Sequence, residues 1–502
     1  MTQPHEEQPV LESHSKKVAT GALVLMVFRF ASGFLYVCFF ILLGNRAWFS
    51  DEAFGRFDGL LAMTNMFFIL TDFGLEVYLT RELARDKEEF AKKLPGIVTL
   101  KTALTLLAGL ALTATLLVGP GGTAGVGVLA GAASVSFLFT LSAQAFIRSI
   151  SRAEQAMRVE GMMALVEKGV IVTLGSSLLW LGADVGGVMS AVAFANLCAA
   201  LYGWLRIRRY GLPLYPGFPI LWKVLVECLP FGLSAICVLM FFNMDRIMLF
   251  YFGEVWVARY SRGFRIVMGL LLFPQMMSIA IYPALSRLKE NMAERVNVGR
   301  ESLQTLCFVA FPLVAGGWMV AGPLVDLLYG AAPQGALSWR WDARLGSGTE
   351  IGNTTEAAVL RILLLSLPFT CGNYLFGPAL NALDKQVWNL WSSAATLVAN
   401  VALNLLLIPT LGPVGAAIAT TLTQATYCGS MYWGLRKLDD TWLRGNRLLT
   451  ILACSLAMAG LLAVLPVWHP LARIALAAAF YFGMTWVLGV WPYRLGRGRA
   501  KS

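Results

Sequence analysis

Arg29 lies about ten residues into an apolar run that opens at Ala19, so a helix rise of about 1.5 Å per residue places it roughly 15 Å deep if that run crosses a bilayer. Asn243, Asp245 and Arg246 stand late in another such run, and Arg259, Arg262 and Arg265 recur every third residue at the head of the next. That spacing keeps the three within one broad helix face. A charge at mid-membrane costs at least about 2.5 to 3.5 kcal/mol, so a retained one faces a cavity or a partner. A guanidinium offers phosphate a planar fork of donors. A cavity with an excess of arginine therefore suits a lipid phosphate or another anion and repels a cationic drug.

A plainer reading stands beside several of these residues. Arg259 and Arg361 are placed to snorkel to an interface, and Asp245 with Arg246 can form a local ion pair that holds helix packing. Lys101 and Lys168 are shallower, so snorkelling or pairing with Glu167 accounts for them. Arg29 and Arg265 are too deep for that and are read as cavity residues. The expected substrate-binding set is Arg29, Asn243, Arg246, Arg259, Arg262 and Arg265, with Asp245 and Glu167 as the carboxylates available to couple an ion. His5, His14 and His469 fall outside the apolar runs, and the cysteines stand singly inside them, never as CxxC. No metal, cofactor or disulfide framework is expected. Thr71-Asp72-Phe73-Gly74 holds a kinase-like triplet at the end of a run, and no Walker-type loop is present. An enzyme is not expected.

The elements that must position these side chains follow from composition. The chain is 57% hydrophobic and 14% charged, against about a quarter charged in a soluble domain. A core of about 30 Å takes roughly 20 apolar residues per helix, and reading the runs on that basis predicts an all-α polytopic membrane protein of about fourteen spans. The first six run over 19–44, 54–79, 95–119, 124–147, 161–182 and 184–206. The next six cover 227–252, 259–284, 303–329, 357–383, 386–409 and 413–436, followed by 447–466 and 470–491. Threading them from a cytoplasmic N-terminus gathers Arg85, Arg152, Arg208, Lys289, Arg436 and Arg497 with most other basic loop residues on one side. Such an asymmetry places both termini in the cytoplasm. It also accounts for the net charge of +11 without a nucleic-acid partner, since no basic stripe with interleaved aromatics is present.

The sequence also repeats itself. Leu181-Gly182 before Val185-Gly186-Gly187 returns as Leu411-Gly412 before Val414-Gly415-Ala416, Tyr202 to Arg206 as Tyr432 to Arg436, and Gly55-Arg56-Phe57 as Ala258-Arg259-Tyr260. Matches six spans apart point to a duplicated six-helix unit, with a cleft between two bundles as the place for substrate. The expected organisation is a cytoplasmic tail over 1–18 without a signal peptide, a six-helix lobe over 19–209 and a linker over 210–226. A second six-helix lobe over 227–437 and two further helices with a basic tail over 438–502 complete it.

The chain resembles the polysaccharide-exporter branch of the multidrug/oligosaccharidyl-lipid/polysaccharide exporter superfamily, the Wzx-type flippases. The resemblance is carried by Arg29, Glu52 to Phe57, Asp72-Phe73-Gly74-Leu75, Thr80 to Ala84, Asp245 to Leu249 and Tyr260 to Ile266. It continues through Tyr282 to Ser286, Leu327 to Gly330, Asn404 to Pro409 and Gly412 to Ala419. It implies two six-helix lobes around a central cavity plus two helices, working by alternating access. The implied cargo is a polyprenyl-diphosphate-linked oligosaccharide, moved between leaflets of a bacterial inner membrane. Membrane lipids, a polysaccharide polymerase and glycosyltransferases are the implied partners. Two features depart from the pattern: Ala258-Arg259 replaces the usual Gly before Tyr260, and the loop from Ala331 to Glu356 is long. The alternatives are a lipid II flippase, a cation-coupled multidrug exporter of the same superfamily, and a non-transporting scaffold of a glycan-synthesis complex.

The charge asymmetry makes a direct prediction. A reporter that is active only when exported, fused after Ser502, is expected to be silent, and activity there would overturn the topology.

Overall fold

The computed structural model describes residues 7–85, 87–118, 127–154, 156–208, 221–288, 291–330, 355–383, 385–437, 447–465 and 469–491. Among the described residues the regular structure is helical: α1 (Glu7–Gly44), α2 (Asp51–Asp72), α3 (Leu75–Arg85), α4 (Lys87–Val118), α5 (Val128–Ala153), α6 (Met157–Trp180), α7 (Val185–Ile207) and α8 (Leu221–Phe252) come first. Then follow α9 (Glu254–Leu270), α10 (Leu272–Arg287), α11 (Met292–Tyr329), α12 (Thr355–Ala382), α13 (Gln386–Leu411), α14 (Pro413–Arg436), α15 (Leu448–Val464) and α16 (Pro470–Val487). Among the described residues ten stretches are long and apolar enough to cross a membrane, and the protein is a polytopic α-helical membrane protein.

Every predicted run falls on a helix or a broken pair. The second divides into α2 and α3 at Phe73 and Gly74, whose φ of 40° and 83° cannot continue a right-handed helix. The eighth divides into α9 and α10 at Leu271. The start of the N-terminal tail (1–6), most of the linker (209–220), most of the long loop (331–354), and the stretches 438–446 and 492–502 lie outside the described residues.

Apolar helices of this kind must bury every polar group internally. Thr102, Thr105, Thr113 and Thr115 on α4 each return their hydroxyl to the carbonyl four residues back, which satisfies a polar atom without a neighbouring helix.

Packing divides the chain into two compact units: Met1–Leu43 with Arg56–Ile247, and Gly44–Gly55 with Met248–Ser502. One division between the units falls inside α8, and the α1–α2 connection packs as part of the second unit. In the first unit α5 packs along α7, where a Cβ on Gly186 would sit 3.0 Å from the Ala130 backbone nitrogen and one on Gly203 2.6 Å from Ile147. In the second, α12 packs along α14, and α14 along α13. A Cβ on Gly415 would lie 2.3 Å from the Leu407 carbonyl oxygen. Gly182 and Gly412, the repeated turn glycines, take φ of 77° and 57°. Each unit thus reuses a positive-φ glycine followed by a close helix approach, as small residues allow inside membranes. The last two helices belong to the second unit, where Tyr481 Oη donates to the Phe308 carbonyl at 2.8 Å.

Gly55 is the tightest position, since an added Cβ would fall 1.7 Å from the Glu254 carbonyl oxygen, a backbone atom. Gly55→Ala is therefore expected to cost at least about 1–3 kcal/mol and to lower the melting temperature in detergent, whereas Gly460→Ala, with nothing within 4 Å, is expected to leave it unchanged.

Candidate functional site

The first unit carries an ionic ladder across α1, α5 and α6. Helices α1 and α6 run side by side in the same direction, because Gly161 admits Phe28 and Gly175 admits Phe39, each ring atom within 2.7 Å of where a Cβ would be. On the first rung Arg29 Nη2 donates to Glu160 Oε1 at 2.7 Å, and Arg152 Nε reaches the same oxygen at 2.9 Å. Arg152 also bonds Glu76 on α3. On the second, Gln144 Nε2 donates to Glu167 Oε2 at 2.9 Å, and Arg148 and Lys168 both bond Glu167. Lys168 Nζ lies 3.8 Å from the centre of the Tyr36 ring.

The spacing explains the ladder. Arg148 and Arg152 are one turn apart on α5, Glu160 and Glu167 two turns apart on α6, and Arg29 and Tyr36 two turns apart on α1. Four cations face three carboxylates, Glu76, Glu160 and Glu167. The carboxylates of Glu160 and Glu167 are 4% and 6% exposed, whereas the side chains of Arg29, Arg152, Arg148 and Lys168 are 39%, 34%, 24% and 21% exposed. The anions are buried and the cations are more exposed, although Arg148 Nε is itself buried. Glu167, expected as an ion-coupling carboxylate, is occupied by two cations and an amide. Lys101 pairs with Asp72 at 3.0 Å rather than with Glu167.

Elsewhere in this unit Arg246 is enclosed. Its Nη1 reaches Asp58 Oδ1 at 3.2 Å and its Nη2 reaches Asn243 Oδ1 at 2.7 Å, while Asn243 Nδ2 donates to the Leu239 carbonyl at 2.7 Å. Asp58 is wholly buried, and Asp245 is buried as well. Arg246 and Asn243, expected to meet substrate, are committed to joining α8 to α2. The local Asp245–Arg246 reading missed Asp58.

The second unit holds Arg259, Arg262 and Arg265. Arg262 is fully buried: Nε donates to the Gly44 carbonyl at 2.9 Å, Nη2 to Asp51 at 2.6 Å and Nη1 to Glu356 at 3.4 Å. The Phe54 and Tyr329 rings flank it. Arg46 completes this knot through the Gly330 carbonyl at 2.7 Å, Asp51 at 3.2 Å and Glu356. Burial alone would raise the Asp51 carboxyl, but Arg262, with Arg46 and Arg259 behind it, holds it below the ordinary carboxylate range. Arg262 thus anchors the 44–55 connection instead of offering donors to a substrate. Arg259 is half-buried and Arg265 buried, and Arg361 Nε bonds the Trp318 carbonyl at 3.2 Å. The expected substrate set is therefore spread over both units, with Arg29 the member left most open. Arg148 and Arg152, read from sequence only as loop charges, join it through Glu160 and Glu167. A glutamate inside an apolar run was the available signal, but its partners on other helices were not.

Comparison with known proteins follows this geometry. Residues 18–289 match the family model described as polysaccharide biosynthesis protein, and residues 256–490 match the model of the lipid II flippase MurJ. An uncharacterized membrane protein of Methanocaldococcus jannaschii is 24% identical over 435 residues, covering 80% of this chain and 93% of its own length. The probable flippase AglR of Haloferax volcanii is 27% identical over 186 residues, which span 36% of this chain and 35% of that protein. A solved structure of the lipid II flippase MurJ in an inward closed conformation shares the fold, with a TM-score of 0.72 at 14% identity over 93% of this chain and 98% of that one.

The enclosed pair is testable apart from transport. Arg246→Gln or Asp58→Asn alone strands a buried charge and is expected to destabilise the protein by about 3–5 kcal/mol, with the double variant recovering much of the loss. Thermal unfolding of the four proteins in detergent measures the coupling, and additive losses would refute it.

Proposed function

Because the chain belongs to the polysaccharide biosynthesis protein family and is a multi-pass flippase-type transporter of the multidrug/oligosaccharidyl-lipid/polysaccharide exporter superfamily, we propose that it carries a polyprenyl-diphosphate-linked oligosaccharide. The movement runs from the cytoplasmic to the outer leaflet of a bacterial inner membrane by alternating access. Both termini are cytoplasmic on this reading, and a polymerase and glycosyltransferases act beside it on the same glycan.

The observation that carries the reading is the ladder of Arg29, Arg148, Arg152 and Lys168. A cation exposed at membrane depth faces water or a ligand rather than hydrocarbon. Glutamates beneath the cations keep the empty site near neutrality, and a diphosphate outcompetes a single carboxylate for the same guanidinium forks because it brings more charge and more acceptors. Binding must remain moderate, since a ligand shifts a conformational equilibrium only by its differential affinity for the two states. A site of this sign disfavours a cationic drug, and Asp245 stays the candidate for ion coupling.

Lipid II is the second reading, favoured by the match of residues 256–490 to the MurJ model. Both cargoes share the polyprenyl diphosphate, so the ladder serves either. Proteoliposomes loaded with one or the other separate them by which is translocated.

Export of the lipid-linked glycan, measured at equal protein level, tests the site. Arg29→Ala and Arg148→Ala are each expected to lower export about tenfold or more, and Arg29→Lys to fall between Ala and wild type. Wild-type export from both Ala variants would remove the cationic site from where it is placed.

A further inference from the structure

The two rungs of the ladder differ in charge. On the first, Arg29 and Arg152 meet Glu160 and Glu76, so the cations are matched one for one. On the second, Arg148 and Lys168 meet Glu167 alone, and Gln144 adds a neutral amide. The positive charge left over among these residues therefore belongs to the second rung. The donors differ as well. The first rung offers two guanidinium forks, which match phosphate geometry, whereas the second offers one fork and one ammonium.

Distance separates the rungs. Glu160 and Glu167 stand seven residues apart on α6, about 10 Å at a rise of about 1.5 Å per residue. A diphosphate is two tetrahedra sharing one oxygen and is shorter than that, so one held by Arg29 and Arg152 leaves Lys168 unanswered. A further group of the same cargo is needed there. Arg148 and Lys168 are half-buried rather than enclosed, so a ligand reaches them, and their surplus charge calls for one anion. Gln144 is wholly buried, and its Oε1 has no hydrogen-bond partner among the described residues, which leaves the rung one donor short. Tyr36 adds a ring, 3.8 Å from Lys168 Nζ to its centre and set edge-on to Phe40 with centroids 4.8 Å apart. Such a ring offers a rigid apolar body beside a charged group. A carboxylate, hydroxyl donors and a flat apolar face occur together in an acidic sugar.

Resting on the reading that the cargo is a diphosphate-linked glycan, we propose that the second rung is a subsite for an acidic sugar. The carboxylate lies on Lys168 and Arg148 while the diphosphate lies on Arg29 and Arg152, so the acid belongs to the sugars next to the diphosphate. A neutral glycan leaves the surplus charge unanswered and binds less tightly. The protein thus selects among glycans by charge, at a place apart from the group that all polyprenyl diphosphate cargoes share.

Equilibrium binding to the purified full chain in phosphatidylcholine nanodiscs tests the subsite by microscale thermophoresis. The probes are an isoprenyl diphosphate, the same lipid carrying a glucose disaccharide, and the same lipid with glucuronic acid replacing either glucose. At least one glucuronate lipid is expected to bind about tenfold tighter than the neutral one, the worth of a hydrogen bond to a charged group. K168Q is expected to bring that ratio to about one, and K168R to keep most of it. R29A is expected to weaken every lipid and to leave the ratio in place. The wild-type comparison reads the subsite even if K168Q does not fold. Equal wild-type binding of acidic and neutral lipids, or a preference that K168Q retains, overturns the subsite, and an R29A loss in the same series keeps the diphosphate reading. Failure of the wild-type chain to bind isoprenyl diphosphate overturns both.

Discussion

A guanidinium or ammonium group cannot be carried into an apolar interior without an anion, because the desolvation cost of several kcal/mol per ion is repaid only at short range and in good geometry. Much of this protein's tertiary structure answers that constraint. Arg29 meets Glu160, Lys101 meets Asp72, Arg246 meets Asp58 and Arg262 meets Asp51. Each pair joins helices or segments far apart in the chain, so the charges act as pins that set which helices are neighbours and in what register. Removing one partner leaves the other stranded, and this makes the pins specific where apolar packing alone is permissive.

The pins fall into two kinds, and the difference bears on function. Arg246 and Arg262 are enclosed, the first by Asp58 and Asn243, the second by Asp51, Glu356 and the Gly44 carbonyl. Their donors are used by the fold. The ladder on α1, α5 and α6 is built the other way, with buried glutamates under more exposed cations, so donors remain for an outside anion. Arg473 is a third case, a buried cation that donates to the Leu462 backbone carbonyl.

Glycine has a matching role. Gly161 and Gly175 let α1 lie close enough to α6 for Arg29 to reach Glu160 and for Tyr36 to cover Lys168. Gly55, against the Glu254 carbonyl, lets the start of α2 settle beside α9. From there Asp51 reaches Arg262. Close approach comes first, and the ion pairs are possible because of it.

Periodicity and charge spacing in the sequence were enough to determine the helical class, the placement of the apolar runs, the repeat of Gly182 as Gly412 and the identity of the deep cations. These are local properties, legible because about 20 apolar residues are needed to cross a bilayer wherever they stand in a chain. The break at Leu271 was not legible, since the apolar run continues through it. Of the partners, the adjacent pair Lys168 and Glu167 was legible, and those between distant segments were not. The local guess for Arg246 was Asp245 and for Lys101 was Glu167, whereas Arg246 binds Asp58 on α2 and Lys101 binds Asp72. An ion pair between helices depends on which faces meet and at what depth, and a one-dimensional pattern does not carry that information. Only the tertiary structure decided that Arg262 is sealed while Arg29 stays open, because exposure is a property of the whole packing around a side chain and not of its place in a run.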